Sequence, residues 1–207
     1  MAKKKELNII ICGVGGQGVV LMSELLGSAS VSGGLEVKGS EVLGMAQRGG
    51  SVFSNLRLGH DAYAPLTPEG KCDVLIAVEP SEALRNMHYL TKDSVVVLNT
   101  REVKPFTFYL RQSGYPSQEA MIKNLKEVAR EVITLDATEL AQEAGSAQSA
   151  NVVMLGALYG TGLMPISDQS VKEVITGRFK GKVGEINIRA FDLGKEAVEK
   201  KMKGVVA

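Results

Sequence analysis

Tryptophan is absent from this 207-residue chain, and cysteine nearly so, Cys12 and Cys72 being the two copies. Far apart and without Cys-x-x-Cys spacing, they form no zinc, redox or iron–sulfur motif, and two thiols are too few to ligate a four-iron cluster. Cys12 closes an apolar run and reads as core rather than as a nucleophile. Histidine is scarce too: His60 and His88 stand without a nearby second ligand or a matching Ser or Cys, so both read as structural or surface residues. No charge of one sign dominates, since 24 Lys plus Arg against 23 Asp plus Glu leave +1, which gives neither nucleic acid nor an anionic membrane an electrostatic footing. The basic run Lys3 to Lys5 is followed by no signal-like apolar segment, and nothing approaches the roughly 18 apolar residues of a membrane span. A cytoplasmic protein without nucleic-acid or membrane partners is expected. With 44% hydrophobic residues and no internal repeat, one α/β domain over residues 1–207 suffices.

What is present organises itself around Leu7 to Gly18. The β-branched run Ile9 to Ile11 meets a glycine loop, and an amphipathic run from Val19 follows at once, which predicts strand, tight turn and helix. Gly13, Gly15 and Gly18 have Gly-x-Gly-x-x-Gly spacing, with Gly16 and Gln17 between them. In that arrangement the first glycine permits the turn, the second lets a phosphate approach the backbone, and the third lets the helix pack closely on the strand. The helix N-terminus then offers unpaired N–H groups and partial positive charge to an anion. The acid that would hold an adenosine ribose should stand about 20 residues further on. Lys38 occupies that place, and a lysine suits a phosphate better than a bare ribose, which puts NAD behind an otherwise unspecified anion. A glycine turn serving only strand–helix packing is the alternative.

Helical spacing continues through Ala29 until Gly33-Gly34 stops it, and Leu35 to Lys38 reads as a second strand, parallel to and beside the first. Gly39 to Ser51 is too glycine-rich for a helix and too irregular for a strand, so a loop at the carboxyl edge of the sheet is expected. Within it Arg48 is a fixed cation, and Gly49-Gly50 can expose N–H groups as an anion nest; a structural ion pair with a plain glycine turn is the competing reading. Strands are expected at Val52 to Leu58, Asp73 to Val78, Ser94 to Asn99 and Val132 to Leu135. Ser81 should cap a helix reaching Tyr89, with Glu79 before it as a cap-forming or solvated carboxylate. Helices follow at Ser117 to Arg130, at Ala137 to Ala144, at Asn151 to Leu163 with Asn151 as its cap, from Ser167 to a stop at Gly177, and at Val183 to Lys203 with a break at Gly194. The Asn151 helix is apolar nearly all round, which requires burial against the sheet or another chain. Phe106 to Tyr109 reads as an edge strand or a partner surface. The order of elements predicts a three-layer α/β fold, its sheet mostly parallel and Rossmann-like, with helices on both faces.

Gly13-Val-Gly-Gly-Gln-Gly18 after the first strand, followed by Ser40-Glu-Val-Leu-Gly-Met-Ala-Gln-Arg-Gly-Gly-Ser-Val52, resembles the small gamma-type subunits of 2-oxoacid:ferredoxin oxidoreductases, and within them the indolepyruvate branch. The likeness extends through Glu79-Pro80, Asn151 to Gly156 and Ile188 to Phe191. It implies a subunit of an enzyme that oxidatively decarboxylates an aryl 2-oxoacid to an acyl-CoA and carbon dioxide while reducing ferredoxin. Such chemistry needs thiamine diphosphate with magnesium, and iron–sulfur clusters, which a large partner subunit would bring. For this chain the resemblance leaves shaping the 2-oxoacid or coenzyme A side of the site. Gly13, Gly15, Gly16, Gln17, Gly18, Arg48, Gly49, Gly50 and Ser51 are its anion-binding candidates, with no catalytic residue and no metal ligand. A free-standing nucleotide-binding module or NAD(P)-dependent oxidoreductase using the glycine loop is the alternative, and it lacks a Tyr-x-x-x-Lys pair or other acid–base set.

Overall fold

The computed structural model describes residues 6–43, 49–103 and 115–204. The first strand, β1 (Leu7–Val14), is buried on both faces because its alternating side chains meet two different helical layers. Ile9 and Ile11 pack with Met22 and Leu26 of α1 (Val19–Ser32), while Ile10 and Cys12 pack with Ala83 of α2 (Pro80–Arg85) and Leu125 of α3 (Gln118–Val128). Four more helices lie on the α1 side: α4 (Ala137–Ala144), α5 (Ala150–Gly160), α6 (Asp168–Arg178) and α7 (Gly181–Gly204). The three-layer α/β arrangement expected from the alternation of elements is present.

The remaining strands are β2 (Val37–Leu43), β3 (Ser51–Leu58), β4 (Val74–Ala77), β5 (Val95–Asn99) and β6 (Glu131–Leu135). Among the described residues the sheet order is β2-β3-β1-β4-β5-β6. The pairs β1–β4, β4–β5 and β5–β6 are parallel, whereas β3 runs antiparallel to both β1 and β2. The expectation that the first two strands are neighbours is therefore corrected: they run the same way, but β3 folds back as a hairpin arm and takes the place between them. The strand read at Leu35 to Lys38 begins two residues later and extends to Leu43, so the first part of the supposed Gly39 to Ser51 loop is an edge strand. Its residues Lys38, Gly39, Glu41 and Val42 are exposed, which is why the segment carries no apolar run to announce it.

The glycines expected to stop α6 and break α7 do neither. α7 continues unbroken through Gly194. There a Cβ would stand 2.0 Å from the carbonyl oxygen of Val153, and one on Gly156 would stand 1.9 Å from that of Phe191. α5 and α7 thus touch backbone to backbone, and the all-apolar α5 is buried between the sheet and α7 within this chain. α6 likewise runs past Gly177 to Arg178, because a helical glycine costs only about 1 kcal/mol and packing of Val171 and Ile175 outweighs it.

Candidate functional site

The loop that follows β1 turns at Gly16 and Gly18, whose φ values are +100° and +79°, so the left-handed positions are those two glycines and not Gly13 or Gly15. Gly13 is required for space: a Cβ there would lie 2.9 Å from Gln17 Oε1 and 3.2 Å from Val78 Cβ. Gln17 closes the turn on itself, since its N–H donates to the Val14 carbonyl at 3.0 Å and its Oε1 accepts the Val14 N–H at 2.7 Å. The closeness that Gly18 permits is to α5 rather than to the strand, for a Cβ would fall 2.2 Å from Asn151 Nδ2.

Gly49 and Gly50, distant in sequence, come to the same edge. The Gly15 N–H donates to the Gly50 carbonyl at 2.8 Å, and the Gly49 N–H donates to the Gly15 carbonyl at 3.4 Å. The structure therefore brings the two glycine tracts together, with each of these N–H groups taken by a carbonyl of the other tract. Ser51 opens β3 and its hydroxyl donates to Glu82 Oε2. Arg48 lies outside the described residues, as does the aromatic tract Phe106 to Tyr109. Lys38 is corrected: the register sets it opposite Arg57, which in turn faces Asn8 near the start of β1, so it stands about 17 Å along the strand from the loop. The place where a dinucleotide's ribose-binding residue would sit is taken by β3, and the NAD alternative loses the geometry it needs.

Beside Gly16 and Gly18 a cleft of about 490 Å³ opens, lined also by Asn99, Arg101, Thr138, Gln148 and Asn151. α1 begins at its edge with Gly18 as cap and no capping side chain, and α5 begins there behind Ser149, again with no capping side chain. Neither helix has an acidic residue in its first turn. Two positive helix ends, Arg101 and the absence of any carboxylate among the described lining residues make this cleft attractive to an anion. Thr138 belongs to a third helix start, but Asp136 already accepts the N–H groups of Thr138 and Glu139. Asn99 is a bolt: its amide donates to the Val78 carbonyl at 3.0 Å and its oxygen accepts the Ala137 N–H at 3.0 Å, tying β4, β5 and α4 together below the cleft. Asn151 is not the cap expected of it; it lies inside α5, and its Oδ1 accepts the Val152 N–H while Nδ2 reaches Gly18. Arg101 was missed in the sequence, where the signal is a basic residue two positions beyond the buried strand-end Asn99.

On the opposite side of the glycine loop two carboxylates are enclosed. Glu79 is fully buried and Glu82 is 4% exposed. Glu79 caps α2 in place of Ser81, accepting the Glu82 N–H at 3.1 Å together with the hydroxyls of Ser81 at 2.5 Å and Tyr115 at 3.1 Å. The helix so capped ends at Arg85, and a single 3-10 turn, Met87–Tyr89, completes the stretch to Tyr89. Cys12 lies beneath; burial first, then the charge of Glu82, holds its thiol well above the ordinary range, as expected of a core cysteine. Cys72 is also buried and forms no disulfide, and among the described residues no three His, Cys, Asp or Glu side chains gather as metal ligands. His60 sits at the surface 3.0 Å from Glu36, and His88 packs its ring on Tyr89. No described helix is long and apolar enough to cross a membrane.

A family model described as Pyruvate ferredoxin/flavodoxin oxidoreductase matches residues 8–197. The indolepyruvate oxidoreductase subunit IorB of Archaeoglobus fulgidus is 43% identical over 91% of this chain and 94% of its own length. Its counterpart in Thermococcus kodakarensis is 42% identical over 97% of this chain and 100% of its own. Among solved structures, pyruvate oxidoreductase subunit PORC of Thermotoga maritima superposes with a TM-score of 0.69 at 24% identity, covering 93% of this chain and 97% of that one. The 2-oxoglutarate:ferredoxin oxidoreductase of Magnetococcus marinus, with 2-oxoglutarate, coenzyme A and succinyl-CoA bound, gives a TM-score of 0.72 at 24% identity, over 95% of this chain and 32% of that one. At those identities the two structures speak to the fold alone.

Proposed function

This chain belongs to the pyruvate ferredoxin/flavodoxin oxidoreductase family, and we propose that it is the non-cluster subunit of a 2-oxoacid:ferredoxin oxidoreductase acting on indolepyruvate or another aryl pyruvate. The substrate class rests on the full-length similarity to the two indolepyruvate oxidoreductase subunits. Thiamine diphosphate supplies the carbanion sink for decarboxylation and clusters carry the electrons, and a large partner subunit holds both, together with magnesium and the docking site for ferredoxin. The residues of this chain favour that division: its two thiols are buried in one apolar cluster, packed among Leu75, Ala77 and Ala83.

The chain's own contribution is an anion site, and the observation that carries it is the acid-free cleft where α1 and α5 both start without capping side chains beside Arg101. First-turn N–H groups of α1 would meet a phosphate or carboxylate there, α5 adds the positive end of its dipole although its Ala150 and Val152 N–H groups are taken by the Ala147 carbonyl and Asn151 Oδ1, and Arg101 adds a guanidinium that binds such groups in bidentate fashion. Coenzyme A, with its several phosphates, suits two helix ends and an arginine better than the single carboxylate of a 2-oxoacid does. The Gly13 to Gly18 turn shapes the cleft, and Gly49, Gly50 and Ser51 hold that turn from behind. Arg48, next to them in the sequence, is proposed as a further anion contact on its charge alone.

The test is steady-state kinetics of the complex assembled from this chain and its large partner. Arg101→Ala should raise KM for coenzyme A by roughly tenfold or more, the scale of one lost charge-assisted hydrogen bond, with kcat and KM for indolepyruvate little changed. The chain alone should oxidise no 2-oxoacid. A normal KM for coenzyme A in the Arg101→Ala complex would remove the cleft from the coenzyme site.

A further inference from the structure

We infer that Glu82 is a positioning residue for this anion site: from its buried place it fixes the Gly13 to Gly18 turn through Ser51 and Gly50. The inference rests on the reading of the cleft given above. A carboxylate with the exposure of Glu82, 4%, is costly to bury unless donors surround it, and here they do. The Ser51 hydroxyl donates to Oε2, and Arg85 Nε donates to Oε1 at 3.2 Å. Glu79 accepts the backbone N–H of Glu82 itself, so the start of α2 is locked before Glu82 reaches across to β3.

Capping does not explain this arrangement. α2 has six residues, Glu79 already caps it, and Glu82 spends one oxygen on a residue 31 positions earlier in the chain. That residue sits next to the shorter of the two hydrogen bonds joining the glycine tracts. Ser51 pairs with Val14 in the sheet, and the carbonyl of the preceding Gly50 accepts the Gly15 N–H at 2.8 Å. A continuous path therefore runs from a buried charge, Glu82, through Ser51 and Gly50 to Gly15, one residue before the first left-handed glycine of the turn. A hydrogen bond to an ionised acceptor is about twice as strong as a neutral one, which suits a fastener better than a contact between hydroxyls would.

Ser51→Ala, Glu82→Gln and the double variant, each in the assembled complex, test this by amide hydrogen exchange in the Gly13 to Gly18 segment and by kinetics. Each single variant should speed exchange at Gly15 about tenfold and raise KM for coenzyme A severalfold with kcat nearly unchanged, as expected for loss of one such hydrogen bond. The double variant should be no worse than the worse single, because both cut the same path. Ser51→Thr, which keeps the hydroxyl, should restore both readings. Unchanged exchange at Gly15 in Ser51→Ala, or additive effects in the double variant, would overturn the inference. If Glu82→Gln does not fold, Ser51→Ala alone decides, since it removes a single hydroxyl. Faster exchange with an unchanged KM would show that Glu82 holds the turn but would overturn the anion-site reading, and Arg101→Ala would then also leave KM unchanged.

Discussion

Gly194 on α7 and Val153 on α5 are in backbone contact, with no room for even a methyl group between them. The crossing of the two helices is set by that approach, repeated at Gly156 against Phe191 and at Gly160, where a Cβ would stand 2.5 Å from the Lys195 carbonyl oxygen.

Gly194→Ala should therefore separate α7 from α5 and destabilise the protein by about 1–3 kcal/mol, as overpacking does. Gly177 is also helical but has nothing within 4 Å of its missing Cβ, so Gly177→Ala should be neutral or stabilise by up to about 1 kcal/mol. Denaturant midpoints of the two variants measure the contrast, and equal shifts would contradict it.

At the glycine turn, Gly18→Ala meets two separate penalties: a left-handed backbone at φ +79° and the Asn151 amide 2.2 Å from the new Cβ. The backbone part costs about 1–2 kcal/mol wherever the side chain goes. Adding Asn151→Ala should remove the amide clash and leave the backbone cost together with the 3.2 Å approach of the Cβ at position 151, so the double variant should melt above Gly18→Ala and below the parent. Full recovery in the double variant would show that the left-handed conformation carries no cost here.

The α6–α7 hairpin is tied by Lys195 to Asp168 at 2.5 Å and by Lys172 to Asp192 at 2.6 Å. The hydrogen bond from Lys195 lowers the Asp168 carboxyl below its ordinary range, and the same bond raises Lys195 above its own. The stability carried by Asp168 is thus fully present above its unfolded pKa of about 3.9 and is lost as pH falls through the lower folded value. That carried by Lys195 is present below its unfolded pKa of about 10.4 and is lost as pH rises through the higher folded value. Both side chains are about one-third exposed, so the pair is worth only about 0.5 kcal/mol. Asp168→Asn should lose that amount at pH 7, with the difference from the parent shrinking toward pH 3 in urea titrations. A difference that persists unchanged at acid pH would assign the loss to packing.

What could be read from the sequence was local. β1, its glycine turn and α1 announce themselves because an apolar run, left-handed glycines and a helical period occur in immediate succession. β4 and β5 are legible for the same reason, being buried on both faces. The order of strands is not local: nothing within Val37 to Leu58 states that β3 will insert between β2 and β1, and the crossover rule applied to neighbours in sequence gives the wrong neighbour in space. β2 is an edge strand with exposed charges, and such a strand resembles a loop. Gly194 resembles a breaker because the helix that needs its missing side chain is elsewhere in the chain. Glu79 and Glu82 illustrate the same limit in the site. Position relative to Pro80 suggests a cap, but burial is decided by Ser51 and Tyr115, which arrive from other segments.

The insertion of β3 also orders events during synthesis. β1 leaves the ribosome before its sheet partners, Ser51–Leu58 and Val74–Ala77, and even its own start is held by Asp73, whose carboxylate accepts the Asn8 N–H at 2.8 Å. Non-local pairings of this kind wait for the closure of long loops. A nascent chain that ends before Ser51 carries the whole glycine motif but none of the pairing that shapes it, and the cleft beside that motif is complete only once Asn151 of α5 has followed.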